Sequence, residues 1–173
     1  MKEFVLGRGK STINYKCDNG DVYDSIGQLY DDKGNLLYFS EYWNTEHTEN
    51  YAGGKLSKGP YYGLCDMAKF DYKPEPVKIV RVFAEFPGMD LTKIKSRDNI
   101  PDSAWSLPSD IPNPNHDGAL LVTYILLHEG GYRWNYSHCC QTALNYSKDD
   151  KTHEFDRFIQ YLSVGEIIKI RLT

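Results

Sequence analysis

The sequence is poor in cysteine, with four residues among 173: Cys17, Cys65, Cys139 and Cys140. Their spacing does not form the CxxC…CxxC pattern of a structural zinc site, and four cysteines are too few for a disulfide-dense scaffold. A chain of this length buries roughly 70% of its unfolded surface when it folds as one unit. We therefore predict a single domain over residues 1–173 that is held together by a packed core.

Long apolar runs and clusters of positive charge are also missing. The N-terminal MKEFVLGRGKST lacks the apolar core of a signal peptide, and no run reaches the roughly 18 apolar residues of a membrane span. With a net charge of −4 and no Lys/Arg run, the chain offers no electrostatic footprint for nucleic acid. We expect a protein that is made in the cytoplasm and has neither a nucleic-acid nor a membrane partner.

Short apolar segments separated by turn residues dominate the chain, which is typical of a β protein. The clearest hairpin joins Ile26–Tyr30 to Leu36–Trp43 through a turn rich in Asp, Gly and Asn. The 14 tyrosines fit half-buried strands or a binding cleft. Further strands are predicted within Met1–Leu6, Thr12–Cys17, Tyr61–Phe70, Val77–Phe86 and Glu166–Leu172.

Near the C-terminal end, two patterns stand out. The apolar run Ala119–Leu127 predicts one central strand that is covered on both faces. Apolar residues at helical spacing between Phe155 and Leu162 predict the only α-helix, with Thr152 as its N-cap. The fold class expected is therefore mainly β, a mixed β-sandwich or barrel-like domain with one C-terminal α-helix and a long Pro-rich loop.

The Pro-rich loop is predicted to span Pro87–Gly118. Irregular segments of this length are either functional lids and binding loops or exposed insertions, and both interpretations stay open. Its chain leads directly into the strand that carries His128. We expect the loop to pack beside that histidine, with Trp105 facing the same cleft.

The stretch LLHEGGYRWNYSHCC, residues 126–140, carries the chemistry. His128 is expected at the end of a buried strand, and Cys140 follows after a short loop. A thiol with a pKa of about 8.5 is only a few per cent thiolate at neutral pH, and a neighbouring imidazole activates it. This pairing predicts Cys140 as a nucleophile and His128 as its base, with backbone N–H groups near the cysteine forming an oxyanion hole.

The other cysteines and a metal site supply the alternatives. Cys17 and Cys65 are expected to be small buried apolar side chains. Cys139 is expected to be structural, and it is the second candidate for the nucleophile. A competing interpretation is a metal site made by the four side chains His128, His138, Cys139 and Cys140.

These residues resemble the L,D-transpeptidase catalytic domain. That family has a strand ending in His, a glycine-containing loop and then Ser/Thr-His-Gly-Cys, whose last residue is the nucleophile. Here the match is ILLHEGG followed by SHCC, with Ser137, His138 and Cys140 in register and Cys139 at the glycine position. A second similarity lies upstream, where YAGGKLSKGPYYGLCD resembles the GP-x-P-x-G-x-Y segment of the superfamily.

The resemblance implies an enzyme and a set of site residues. Catalysis would rest on Cys140 and His128, with His138 and Ser137 beside the thiol; no cofactor and no metal are expected. Arg133 would hold a substrate carboxylate, and the remaining substrate-binding candidates are Tyr62, Trp105 and Gly131.

The implied activity is that of a cysteine L,D-transpeptidase or L,D-carboxypeptidase on peptidoglycan stem peptides. Because no signal peptide is recognised, an antibacterial effector delivered to a bacterial periplasm, or a phage-associated enzyme, is expected; its partners would be a delivery component or an immunity protein. The alternative is a non-catalytic module that binds cell-wall glycan, peptide or a partner protein. It would use an aromatic surface made of Tyr42, Trp43, Tyr51, Tyr61, Tyr62, Trp105 and Trp134.

Overall fold

Strands form most of the regular structure, as the sequence predicts. A computed structural model describes residues 1–45, 53–133, 140–146 and 152–173. Within these residues there is one α-helix, α1 (Glu154–Ile159), besides four short 3-10 helices. The strands are β1 (Glu3–Gly7), β2 (Tyr15–Lys16), β3 (Val22–Tyr23), β4 (Ser25–Tyr30), β5 (Leu36–Asn44), β6 (Gly59–Ala68), β7 (Val77–Phe83), β8 (Ser106–Asn113), β9 (Ala119–Thr123), β10 (Leu126–Gly131), β11 (Gln141–Tyr146) and β12 (Ile167–Leu172).

Eight of these strands close into a barrel in the order β1-β12-β6-β7-β10-β11-β5-β4. Two of the neighbouring pairs are parallel, β1 with β12 and β10 with β11, and the other pairs are antiparallel. The side chains of β4 alternate between buried and half-buried, as expected for a strand with one face toward a core. The mainly β class and the barrel-like architecture are confirmed.

The hairpin of β4 and β5 is confirmed, and its turn chemistry is visible. The carboxylate of Asp31 accepts hydrogen bonds from the backbone N–H groups of Lys33 and Asn35 at 2.9 and 2.8 Å. Gly34 adopts a φ of 84°, which a residue with a Cβ rarely takes. The hydrogen bonds from Asn35 hold the pKa of Asp31 below its usual range. This turn fixes the register with which two apolar strands meet.

Aromatic rings fill the interior of the barrel. Phe4 of β1 stacks on Phe158 of α1 at 4.4 Å between ring centroids, and it meets the edge of Trp43 at 4.8 Å. Trp43 is fully buried, and its indole N–H donates to the hydroxyl of Tyr38 at 3.0 Å. Gly27 makes room for that indole, because a Cβ built on Gly27 would lie 2.5 Å from Trp43 Nε1. The helix therefore packs into the barrel through its aromatic side chains.

The prediction of α1 is confirmed, but its N-cap is wrong by one residue, and the helix ends at Ile159 instead of reaching Leu162. His153 occupies the cap position and makes no side-chain capping hydrogen bond, whereas Thr152 lies one residue outside. The helix can form without that cap because Phe155 and Phe158 are almost fully buried against the barrel. No helix within the described ranges has the length and apolar character needed to cross a membrane.

The single strand predicted over Ala119–Leu127 is wrong. The chain breaks at Tyr124, which has a φ of 55°, so the run divides into β9 and β10. Leu120 and Tyr124 are 60% and 65% exposed, whereas Val122 and Ile125 are buried. β9 leaves the barrel and pairs with β8 in a separate two-stranded sheet. A continuous apolar run does not reveal such a break, because alternation is the signal that marks an exposed face.

The predicted Pro-rich loop is irregular only in its first half. Between Leu91 and Trp105 the chain forms three short 3-10 helices, and then β8 begins at Ser106. In β8 the prolines Pro108 and Pro112 are exposed while Leu107 and Ser109 are buried. β8 pairs with β9 on one edge, and on its other edge Pro108 accepts a hydrogen bond from Ser57 N–H through its carbonyl oxygen while Asp110 N–H donates to the Lys55 carbonyl. Proline is tolerated where the chain needs only an acceptor, which explains why the Pro-rich composition concealed a strand.

Candidate active site

The two parallel strands β10 and β11 carry the predicted catalytic pair. Leu127 pairs with Gln141 and His128 with Thr142, so Cys140, directly before β11, lies level with Leu126. A contact supports this alignment, because the backbone N–H of Leu126 donates to Cys140 Sγ at 3.3 Å. The fold thus brings together two residues separated by a loop, at the start of neighbouring strands.

His128 and Cys140 share the outer face of the barrel. Leu127 and Ala143 belong to the interior cluster, and side chains alternate along a strand, so their neighbours in the chain face outward. The two residues are diagonal neighbours, offset by two positions along adjacent strands. Strand spacing and rise place their Cα atoms about 8 Å apart. His128 was expected at the end of a strand, but it is the third residue of β10.

Burial fixes the protonation state of His128. Its side chain lies under the ring of Phe70, with 5.7 Å between ring centroids, and the residue is only 6% exposed. Burial holds the pKa of His128 below its usual range, although the carbonyl and charge of Glu129 oppose the shift. His128 Nδ1 lies 2.7 Å from the Glu129 carbonyl oxygen, which can only accept. Nδ1 therefore carries the proton, and Nε2 has the lone pair that a general base requires.

Cys140 differs from the two other cysteines that the structure describes. Cys17 and Cys65 are buried, as predicted, and burial raises the pKa of their thiols to about 12 and about 11. Cys140 is half-buried and accepts the N–H of Leu126. A hydrogen bond donated to sulfur stabilises a thiolate more than a thiol, because the acceptor is then charged. Among these three cysteines, Cys140 has the environment best suited to a nucleophile.

A pocket of about 350 Å³ is lined in part by Leu126, the residue whose backbone N–H contacts the Cys140 thiol. Trp105, one of the predicted substrate-binding residues, also lines it. The charged side chains of the lining and Tyr124 were not predicted, because nothing in the sequence links them to this place. The remaining lining residues are Arg81, Arg97, Asp98, Ile100, Asp102, Tyr124 and Ile125.

Three of the expected substrate-binding residues lie apart from this pocket. The carbonyl of Gly131 accepts hydrogen bonds from Tyr23 and Cys17 at 2.9 and 3.4 Å, which is a structural role. Arg133 follows the C-terminal end of β10. Its side chain is 65% exposed, and its Nε lies 3.9 Å from Asp18 Oδ2. Tyr62 packs on Phe83 and lines a different groove. The predicted residues Ser137, His138 and Cys139 lie outside the described residues.

The aromatic surface of the alternative interpretation is corrected. Trp43 and Tyr61 are buried at 0% and 5% exposure, and Trp43 is part of the barrel core. Tyr42 and Tyr62 are half-buried, and Tyr51 and Trp134 lie outside the described residues. Aromatic composition alone does not separate a binding surface from a core, because both use large rings.

Next to the histidine, Glu129 holds a buried polar network that the sequence did not reveal. The carboxylate of Glu129 accepts the Lys73 ammonium at 3.0 Å and the Asn145 amide at 3.0 Å. The same Asn145 amide reaches Asp156 Oδ1 at 3.2 Å, which ties β10 and β11 to α1. A buried carboxylate needs such partners, so the network holds the backbone that orients His128 Nδ1.

No cluster of three or more His, Cys, Asp or Glu side chains that could hold a metal ion occurs in the part of the chain that the structure describes. Two members of the alternative metal set, His138 and Cys139, fall outside that part. Comparison of the chain with known protein families, curated proteins and solved structures finds no match.

The buried, neutral state of His128 predicts a pH-dependent stability. In the unfolded chain, His128 becomes protonated below the ordinary histidine pKa of 6.5. In the folded protein its pKa is lower, so the imidazole stays neutral until the pH falls further. Because the unfolded chain binds this proton more readily, the free energy of unfolding should decrease as the pH drops below 6.5. The contribution of His128 to this decrease is up to about 1.4 kcal/mol per pH unit. Urea unfolding between about pH 5 and pH 8 measures the slope. The His128→Gln variant should show a shallower slope, and equal slopes would contradict the assignment.

Proposed function

We propose that the protein is a cysteine-dependent acyl-transfer enzyme that acts on peptidoglycan stem peptides, as an L,D-transpeptidase or L,D-carboxypeptidase. The observation that carries the proposal is the pairing of a half-buried Cys140 with a neutral His128 on one face of two parallel strands. The motif resemblance supplies the substrate class. A pocket lined by Leu126, whose N–H contacts the thiol, could receive a substrate side chain.

The reaction follows from the two side chains. His128 Nε2 takes the proton of the Cys140 thiol, and the thiolate attacks the carbonyl carbon of the diaminopimelate–D-alanine bond. The tetrahedral intermediate collapses as the C–N bond breaks, and the imidazolium returns its proton to the departing amine of D-alanine. In the second half, an acceptor amine or water attacks the thioester carbonyl and gives its proton to His128. The C–S bond then breaks, and the imidazolium returns that proton to the departing Cys140 thiolate.

The protein parts of this cycle have separate tasks. The Glu129 carbonyl keeps the proton on Nδ1, so Nε2 stays available to act as a base. The Leu126 N–H offers the sulfur a hydrogen bond in its anionic form. Because the Cα atoms are about 8 Å apart, the thiol must rotate toward the imidazole when substrate binds, and catalytic hydrogen bonds of apo enzymes often tighten in this way.

Purified protein incubated with tetrapeptide muropeptides under reducing conditions tests the proposal. The expected products, followed by mass spectrometry, are tripeptides that have lost D-alanine, or exchanged and crosslinked peptides when an amine is supplied. Protein treated beforehand with iodoacetamide is the control, and it should leave the tetrapeptides intact. Unchanged tetrapeptides with the untreated, reduced protein would refute the function.

A non-catalytic binding module is the second candidate. Both candidate side chains have backbone partners, Leu126 N–H for the thiol and the Glu129 carbonyl for the imidazole, which is compatible with a structural role. Thiol reactivity separates the two functions. An enzyme should react with iodoacetamide at Cys140 faster than free cysteine does at about pH 6.5, because its thiolate fraction is higher. A binding module should react no faster than free cysteine.

A further inference from the structure

The ladder that joins β7 to β10 ends one residue before His128. Its register has two pairs, at Leu126 and Leu127. Beyond them, a pocket of about 300 Å³ lies between these two strands and the helix α1. Side chains of all three elements line it, among them Val77 and Ile79 of β7, Glu129 of β10 and Ile159 of α1. The wall of the barrel therefore has a gap beside the candidate base.

The loop that joins β6 to β7, residues 69–76, forms a strap across this gap. Phe70, near the start of the strap, lies against the imidazole of His128, with 5.7 Å between the ring centroids. Tyr72 in turn stacks on Phe70 at 5.6 Å, with 14° between the ring planes. His128 is only 6% exposed, so the aromatic side chains of the strap belong to the cover that buries it.

A clasp at Glu129 fastens the strap to β10. The Glu129 oxygen Oε1 lies 3.0 Å from Lys73 Nζ and accepts a hydrogen bond from the Tyr72 hydroxyl at 3.3 Å. The side chains of Lys73 and Glu129 are 22% and 8% exposed, so this ion pair is largely withdrawn from water. A charge-assisted hydrogen bond in such a place contributes more than one at an open surface. Since consecutive residues of a strand point to opposite faces, contacts to His128 and Glu129 grip β10 on both sides.

The rest of the strap is built to move as a unit. Its turn is closed by its own atoms, because the Lys73 N–H donates to the Phe70 carbonyl at 3.1 Å, and Lys69 Nζ donates to the carbonyls of Phe70 and Lys73. Most of the other residues of the strap are exposed, namely Asp71, Tyr72, Pro74, Glu75 and Pro76. A segment that holds its own turn and lies over a pocket can open while the barrel stays folded.

We propose that the strap is an autoinhibitory cover of His128, held closed by the clasp between Lys73 and Glu129. In the closed state Phe70 occupies the surface of the imidazole that a reactant needs. When the clasp opens, Phe70 withdraws with the strap and the imidazole becomes accessible. That the cover inhibits a reaction rests on the proposed function. That it opens and closes over His128 depends only on the contacts of the strap.

Carbethoxylation by diethylpyrocarbonate measures the opening, because this reagent modifies an imidazole only where it reaches a ring nitrogen. The full chain is treated at one fixed pH, and peptide mass spectrometry follows His128 and His116 in the same sample. His116 is the internal reference, since it is half-buried and its Nε2 lies 3.1 Å from Thr123 Oγ1 of β9. Global loss of structure would accelerate both histidines, so the ratio of the two rates reports the strap.

Lys73→Met removes the ammonium of the clasp and keeps an unbranched side chain. We expect this variant to raise the rate at His128, relative to His116, about tenfold, because the lost charge-assisted hydrogen bond shifts the equilibrium between closed and open strap by about that factor. In the closed state the substitution also leaves the Glu129 carboxylate without its cation, which favours opening further.

Two further variants separate the strap from general effects of substitution. Phe70→Ala removes the ring that covers the imidazole and leaves the clasp in place, and it should also accelerate His128. Lys78→Met is the matched control, because Lys78 lines the same pocket but donates to the Leu162 carbonyl at 2.8 Å. This control should change the rate ratio by less than about twofold. A ratio that stays at the wild-type value in either Lys73→Met or Phe70→Ala, or that rises equally in Lys78→Met, would overturn the proposal.

Turnover of muropeptides by the same variants keeps this outcome separate from that of the proposed function. If both proposals hold, Lys73→Met should raise kcat/KM along with the rate of His128 modification. A protein whose strap opens as expected but that leaves muropeptides unchanged would retain the cover and refute the enzyme. An active enzyme whose His128 is modified equally fast in every variant would refute the cover alone.

Discussion

Replacing Cys140 by alanine is expected to abolish release of D-alanine from tetrapeptides, whereas Cys139→Ala should retain a measurable fraction of the activity. Loss of the sulfur removes the thioacyl intermediate, and rate losses of a nucleophile are on the order of 10³-fold or more. Cys140 lies beside β11 with its thiol at the Leu126 N–H, on the face shared with His128. Mass spectrometry of muropeptides measures both variants under the same reducing conditions.

His128→Ala should cost as much as Cys140→Ala, and the double variant should be no worse than either single one. Nucleophile and base act as one unit, so their losses do not add. Far-UV circular dichroism of each variant serves as the folding control. If Cys140→Ala is active and Cys139→Ala is inactive, the nucleophile is Cys139 and not Cys140. That result would remove most of the support for the transpeptidase resemblance.

Gly27→Ala is expected to destabilise the barrel strongly, by about 2–3 kcal/mol, without touching the candidate site. A Cβ at Gly27 would lie 2.5 Å from Trp43 Nε1 and 3.0 Å from the ring of Phe4. Both rings are fully buried, and a close-packed interior cannot move them without losing other contacts. For a chain of this size the melting temperature should fall by roughly 5–10 °C, which calorimetry measures.

Gly7→Ala is the matched control for that substitution. Gly7 lies on β1 and pairs with β4, the strand that contains Gly27. A Cβ there would meet only the Lys10 side chain, whose Cδ lies 2.8 Å away and can swing aside. The control should therefore change the free energy of unfolding by less than about 1 kcal/mol. A similar loss in both variants would show that the Trp43 contact is not the cause of the loss in Gly27→Ala.

The elements that were predicted correctly from the sequence are those whose structure depends on residues close together in the chain. The β4–β5 hairpin has two apolar segments and a turn in which the Asp31 side chain accepts hydrogen bonds from its own loop, so local chemistry determines it. The helix α1 could be predicted because Phe155, Phe158 and Ile159 lie on one buried face, and Leu162, in the turn that follows the helix, is buried as well. The break at Tyr124 could not be predicted, because β9 pairs with β8, a strand earlier in the chain, and the apolar run itself does not indicate this pairing.

The candidate site divides in the same way. Cys140 and His128 could be proposed from the sequence because thiol and imidazole are rare and reactive, and the two lie close in the sequence. Arg97 and Asp102 were not predicted to line a pocket, since they reach it only through the packing of Ile94, Ile100 and Ala104 against Phe83. The role assigned to Arg133 came from the motif, and the fold leaves this residue beyond the far end of β10.

The parallel pairing of β1 with β12 has a consequence for how the protein reaches its native state. Glu3 pairs with Lys169 and Leu6 with Leu172, so these contacts join segments almost the whole sequence apart. Such long-range pairs slow folding, because the chain loses conformational entropy on closing the loop before the contact can stabilise it. During synthesis, β1 and β6 keep unpaired edges until Ile167–Leu172 has left the ribosome and can insert between them. Chaperone dependence and aggregation of nascent chains should therefore be governed by the arrival of this last strand.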